Sequence, residues 1–159
     1  MAAPVGRLFP LVSDYRRARS VIDGLEELTP IGGPELGEGA RYAAVLRMGP
    51  TVLRASIEIV ELVIDRRVTW ATSDAEERAL SFEFDFTDGV TTVEMTVSYE
   101  APGGLAGLLI RPVVEDNVRR RSRETLARIE KLGRAGREPA TPLPPPPSPE
   151  PGAQERSDD

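Results

Sequence analysis

Residues 80–100 read LSFEFDFTDGVTTVEMTVSYE, and the period of this stretch settles most of the architecture. Leu80, Phe82, Phe84 and Phe86 alternate with Ser81, Glu83, Asp85 and Thr87, the period-two pattern of a strand with one apolar and one wetted face. Asp88-Gly89 supplies a two-residue turn whose positions tolerate positive φ. Folding the chain back there sets Phe84 against Val93, Phe82 against Met95 and Leu80 against Val97. Asp85 with Thr92 and Ser81 with Thr96 then share the polar face. One pair, Glu83 opposite Glu94, is unfavourable by about a few tenths of a kcal/mol, which is tolerable with that face in water.

Outward from this hairpin the same period runs from Gly39 to Ala101. A turn centred on Gly49-Pro50 sets Leu46 opposite Leu53, Ala44 opposite Ala55 and Tyr42 opposite Ile57, with Arg41 opposite Glu58 on the other face. Every pair on the first face is apolar. A middle strand, RVTWATS at 67–73, joins the two hairpins, which makes at least five strands in an antiparallel meander. Downstream the period becomes helical, and Val118, Ser122, Thr125, Leu126, Ile129 and Leu132 form a stripe. Inside that helix Pro112 would cost about 3 kcal/mol. The helix is therefore expected to run from about Pro112 to Gly133, roughly 30 Å at about 1.5 Å per residue.

Upstream, Val5, Leu8, Phe9 and Val12, then Val21, Ile22 and Leu25, mark two short helices. Ser13 or Asp14 can cap the second, and Gly24 can end it. The run TPIGGPELGEG at 29–39 follows as a loop of turn formers. A sheet with one apolar face and a long helix with one apolar stripe bury both when the sheet curls around the helix. The expected fold class is α+β.

The chain has 159 residues, 40% of them hydrophobic, enough for one domain with one core. That domain is placed at 1–134. From residue 135 the run AGREPATPLPPPPSPEPGAQERSDD is crowded with Pro and poor in large apolar groups, so 135–159 is expected to be a disordered tail. Its PLPPPPSP segment favours polyproline II and suits a spacer or an aromatic-groove ligand. No apolar run reaches the roughly 18 to 20 residues needed to span a bilayer. The stretch MAAPVGRLFPLVSDY lacks the layout of a secretory signal, so the default location is cytoplasmic.

The chain contains no Cys and no His. Disulfides, thiolate sites, Ser-His-Asp triads and His-based metal sites are thereby excluded. Neither a metal nor a cofactor is expected. The net charge of −6, from 20 basic and 26 acidic residues, opposes general affinity for nucleic acid. Arg119, Arg120, Arg121 and Arg123 cluster on the long helix among Glu115, Asp116 and Glu124 and read as a solvated face.

Three phrases carry a resemblance to a known family: PVGRLFPLVSDYRRARSVIDGLEELTPIGGPELGEGARY, IEIVELVIDRRVTW and TTVEMTVSYEAPGGLAGLLIRPVV. Over about residues 4–132 the chain resembles the polyketide cyclase/dehydrase and lipid-transport family of the SRPBCC superfamily, which is related to START domains. The resemblance implies a helix-grip fold, a curved antiparallel sheet wrapped around a long C-terminal helix with two short N-terminal helices. It also implies an apolar cavity that takes lipids, polyketides, quinones or hormones, with aromatase/cyclase activity in some members. Such a domain normally begins with a strand ahead of its first helix, and here only about three residues precede that helix. Either the native start lies upstream and supplies that strand, or the domain lacks it and leaves an edge open, through which a homodimer is an expectation.

The inward face offers the site candidates. Tyr42, Trp70, Phe82, Phe84, Met95 and Tyr99 point toward the helix, either as core or as cavity wall. Ala44 opposite Ala55, beside Ile57, leaves room, as do Ser122, Thr125 and the small residues of APGGLAG at 101–107. Arg111 near the helix start, Tyr42 and Tyr99 are the polar groups suited to orient a ligand. Strict alternation from Leu53 turns Glu61 inward beside Trp70, where burial would raise its pKa for acid/base work. A bulge would instead turn Glu61 outward and bring Leu62 or Val63 in. Glu61 and Tyr99 are the catalytic candidates for a cyclase. The alternatives are a carrier of a small hydrophobic ligand, and a filled module that works through its sheet edge and Pro-rich tail.

Overall fold

The computed structural model describes residues 1–73, 78–99 and 105–135, with the backbone alone for Tyr99 and for residues 105–114. Three short helices come first: α1 (Val5–Leu8), α2 (Pro10–Ser13) and α3 (Tyr15–Val21). Six strands follow: β1 (Leu25–Gly32), β2 (Arg41–Met48), β3 (Thr51–Val63), β4 (Arg67–Thr72), β5 (Arg78–Thr87) and β6 (Val90–Tyr99). They form one sheet in sequence order, every neighbour antiparallel. The long helix α4 (Leu105–Ala135) comes last and touches α1, α3 and β6. Apart from Ala135, the Pro-rich tail lies outside the described residues.

Both hairpins adopt the register their turns dictate. Leu46 opposes Leu53, Ala44 opposes Ala55 and Tyr42 opposes Ile57. Phe84 opposes Val93, Phe82 opposes Met95 and Glu83 opposes Glu94. Asp88 and Gly89 have φ of 54° and 80°, the left-handed pair that matches the twist of the flanking strands.

Several expectations are corrected. Residues 25–32 are a strand, not a helix end followed by a loop. The strand lies at the sheet edge, where Pro30 lacks only a hydrogen bond that no neighbour needs, and two register shifts erase its alternation. Pro10 divides the first expected helix and begins α2 at its first position, where a missing N–H costs nothing. The long helix starts seven residues before Pro112, because Leu105, Ala106, Leu108 and Leu109 are strong helix formers that carry the backbone past it. Leu132, expected on the buried stripe, is 39% exposed. Gly133 takes its place, and a Cβ there would overlap Leu8 Cδ2. The missing side chain lets α1 lie against α4.

Asp14 caps α3, its Oδ1 accepting from Arg16 N at 3.0 Å while the Arg16 guanidinium grips both carboxylate oxygens at 2.9 and 2.8 Å. That hydrogen-bonded guanidinium holds the Asp14 carboxyl below its ordinary 3.8. A group with a depressed folded pKa stabilises above its unfolded value and loses that contribution as pH falls through the folded one. Asp14→Ala is expected to cost about 1 kcal/mol at neutral pH. In urea unfolding the gap from the parent should close once pH drops below the carboxylate range.

The inner face of the sheet has two unlike halves. At one end Leu8 of α1, Phe9 at its junction with α2, Val12 of α2 and Ile129 of α4 join Ile59, Val68, Phe82 and Phe84 in the buried core. Phe9 meets Phe84 edge-on at 5.5 Å. The chain start joins this end, where Met1 N donates to Thr91 O at 2.6 Å and Thr91 N donates to Met1 O at 3.0 Å. The other half holds the site.

Candidate functional site: an apolar cavity between sheet and helix

Beyond the packed end, sheet and α4 separate around a partly open cavity of about 220 Å³. Its floor is Leu28, Ala44 and Trp70, all buried. On the sheet side Leu46, Leu53, Ala55, Ile57, Leu80 and Met95 rise from this floor. The facing wall is Val118, Arg121, Ser122 and Thr125 of α4, spaced i, i+3, i+4 and i+7 on one helix face over about 10 Å. Ile22 and Asp23, in the link from α3 to β1, and Leu25 at the start of β1 close one side.

The empty space has a local cause. Ala44 faces Ala55 across the β2–β3 ladder, so two methyl groups stand where the packed half has Phe82 and Phe84. Arg121 and Thr125 hold the wall in place. Thr125 Oγ1 accepts from Asp23 N at 3.0 Å, while Arg121 donates to Asp23 O at 3.2 Å, Arg47 O at 2.6 Å and Asn117 Oδ1 at 3.3 Å. The Asp23 carboxylate pairs with Arg128 at 2.8 Å and lies 3.8 Å from Arg121. Gly24, at φ 79°, leaves the space this guanidinium crosses, since a Cβ would overlap both Arg121 and Arg47 O. Arg121 thus leaves the solvated cluster to which its neighbours point, and its side chain is only 14% exposed.

Of the expected site residues, Ala44, Ala55, Ile57, Trp70 and Met95 come together on the cavity wall. Phe82 and Phe84 belong to the packed half. Tyr42 lies behind Trp70, ring centroids 5.5 Å apart, with Tyr15 on its other side at 5.1 Å. Its hydroxyl, expected to reach a ligand, instead donates to Glu35 O at 2.5 Å, and burial pushes its pKa up to about 12. Tyr42 therefore supports Trp70, whose indole N–H donates to Val12 O at 3.0 Å. Tyr99 ends the β5–β6 ladder opposite Arg78, and Arg111 lies in α4. Their side chains, and residues 101–104, are outside the described part.

Of the two courses open to Glu61, β3 takes the bulged one. A bulge between Ile59 and Glu61 inserts Val60 into β3, so Glu61 opposes Thr69 on the outer face and Leu62 opposes Val68 on the inner one. The carboxylate lies 3.3 Å from Arg67 and 3.4 Å from Thr69 Oγ1, and Arg67 also holds Glu83 at 2.8 Å. It faces away from the cavity, which leaves acid/base work there without this group. Sequence reasoning missed Leu28, because β1 was not foreseen, and the clamp of Asp23 with Arg121. The signal for Arg121 was its spacing of three and four from Val118 and Thr125.

Among the described residues no group of three or more Asp or Glu is placed to hold a metal. None of the described helices is long and apolar enough to cross a membrane. An antiparallel sheet closed by one long terminal helix, with a cavity between them, defines a helix-grip domain. The chain belongs to the polyketide cyclase/dehydrase and lipid transport family, whose model matches residues 1–133. No curated protein matches it in sequence. Among solved structures it is similar to TTHA0849 from Thermus thermophilus, with a TM-score of 0.72 at 19% identity over 87% of this chain and 94% of that one. Ara h 8.0201 superposes with a TM-score of 0.63 at 14% identity, over 84% and 92% of the two chains. NE0264 from Nitrosomonas europaea gives 0.64 at 11%, over 86% and 90%. At these identities the likeness speaks for the fold.

Proposed function

We propose that this chain binds a small hydrophobic molecule of the lipid, polyketide or quinone kind in the cavity between the sheet and α4. The observation that carries this reading is an open cavity whose sheet wall is apolar except at Thr72 and Arg78. Covering apolar surface stabilises a complex by about 2.5 kcal/mol per 100 Å², so such a wall supplies affinity without charge. The volume lies below the roughly 300–1,000 Å³ of drug-sized pockets. The ligand is accordingly small, or it is a longer molecule with one end enclosed. Family membership supports hydrophobic binding in general.

Trp70 is the single Trp of the chain and lies on the cavity floor. Titration with the neutral fluorophore N-phenyl-1-naphthylamine should quench Trp70 emission saturably at one probe per chain. Emission that stays unchanged, or falls linearly without saturating, would refute the proposal.

A further inference from the structure

The polar groups of the cavity are not scattered. Asp23, Arg121, Ser122 and Thr125 all belong to the helix wall and its neighbouring turn. On the sheet wall polarity is confined to Thr72 and Arg78, where Thr72 Oγ1 accepts from Arg78 N at 3.2 Å. Apart from Thr72 and Arg78, the sheet wall offers apolar contact, and the remaining polar groups stand on the α4 side.

Three of the four helix-side groups are already engaged. The Asp23 carboxylate is paired with Arg128, the Arg121 guanidinium binds two carbonyls and an amide oxygen, and Thr125 Oγ1 accepts from Asp23 N. Ser122 differs. It lines the cavity between Arg121 and Thr125, half-buried, and its hydroxyl has no hydrogen-bond partner among the described residues. Ala would complete the helix stripe as well. Once a ligand removes water from this hydroxyl, leaving it unpaired costs about 1–3 kcal/mol, a penalty borne only by ligands that offer it nothing.

Resting on the binding reading above, we propose that Ser122 is the specificity-determining residue of the cavity, and that the ligand is a hydrophobic molecule with a neutral oxygen, carbonyl or hydroxyl, on the edge facing α4. A carboxylate is disfavoured in that place. Arg121, next to Ser122 in the chain, is already committed to other acceptors, and Asp23 adds a negative charge to the same wall.

The test compares 2-acetylnaphthalene with 2-isopropylnaphthalene, which match in shape and differ in the oxygen, and adds 2-naphthoate, each followed through Trp70 emission. Ser122→Ala should weaken the ketone about 10-fold, leave the hydrocarbon within about twofold and so change their ratio. Ser122→Thr, which keeps the hydroxyl, should restore the ketone. 2-Naphthoate should bind at least about 10-fold more weakly than the ketone. Equal effects of Ser122→Ala on ketone and hydrocarbon, or tighter binding of the carboxylate, would overturn this inference while the binding reading stands. Failure of all three probes to bind the parent would overturn both.

Discussion

Ala44→Phe is expected to lower affinity for N-phenyl-1-naphthylamine at least about 100-fold, equivalent to about 2.7 kcal/mol, with the fold intact. Ala44 is 8% exposed on the cavity floor and faces Ala55. A phenyl ring there has the cavity itself to enter, so it displaces ligand rather than core. The fold should tolerate the ring because aromatic residues suit a half-buried strand and it adds apolar contact with Trp70 and Leu28. Trp70 emission reads the binding, and urea unfolding reads stability, which should stay within about 1.5 kcal/mol of the parent. Unchanged affinity would place the probe elsewhere on the molecule.

Phe82→Ala should do the opposite, cutting stability by about 3–5 kcal/mol. Its ring is fully buried between Val68 and Met95 on the neighbouring strands, in the half already filled by α1, α2 and Ile129. Phe82 itself is not among the residues that line the cavity. Since a domain is stable by only about 5–15 kcal/mol, the variant should unfold at much lower urea with an unchanged slope. Leu53→Ala, at the half-buried cavity rim, should cost less than half as much. Equal losses at the two positions would contradict the division of the inner face into a packed and an open half.

What the sequence could reveal follows from which forces act locally. Turn chemistry at Gly49-Pro50 and Asp88-Gly89, with alternation on either side, fixes two hairpins to the residue, because a slip by one would exchange their faces. The bulge at Val60 was legible as the better of two readings, with Leu62 or Val63 in place of Glu61, yet nothing local to that residue demands it. What demands it is the inner face, where Leu62 rather than Glu61 meets the buried Val68. β1 was hidden because an edge strand with Pro30 needs neither a full ladder nor strict alternation. The two halves of the inner face were equally opaque. Phe82, Phe84 and Met95 carry the same period, and only the placement of α1 and α2 makes the first two core and leaves the third at a cavity. Tyr42 shows the same limit, since the loop carbonyl of Glu35 that takes its hydroxyl lies in a stretch whose conformation no periodicity records.

The central claim is that space left between the sheet and α4 holds a molecule. Native mass spectrometry of the full chain, incubated with a solvent extract of its own host, tests it most directly. The account predicts one added mass of a small hydrophobic compound on the parent, released on denaturation and absent from Ala44→Phe. A parent that stays at the bare chain mass, or an adduct that Ala44→Phe retains in full, would contradict it.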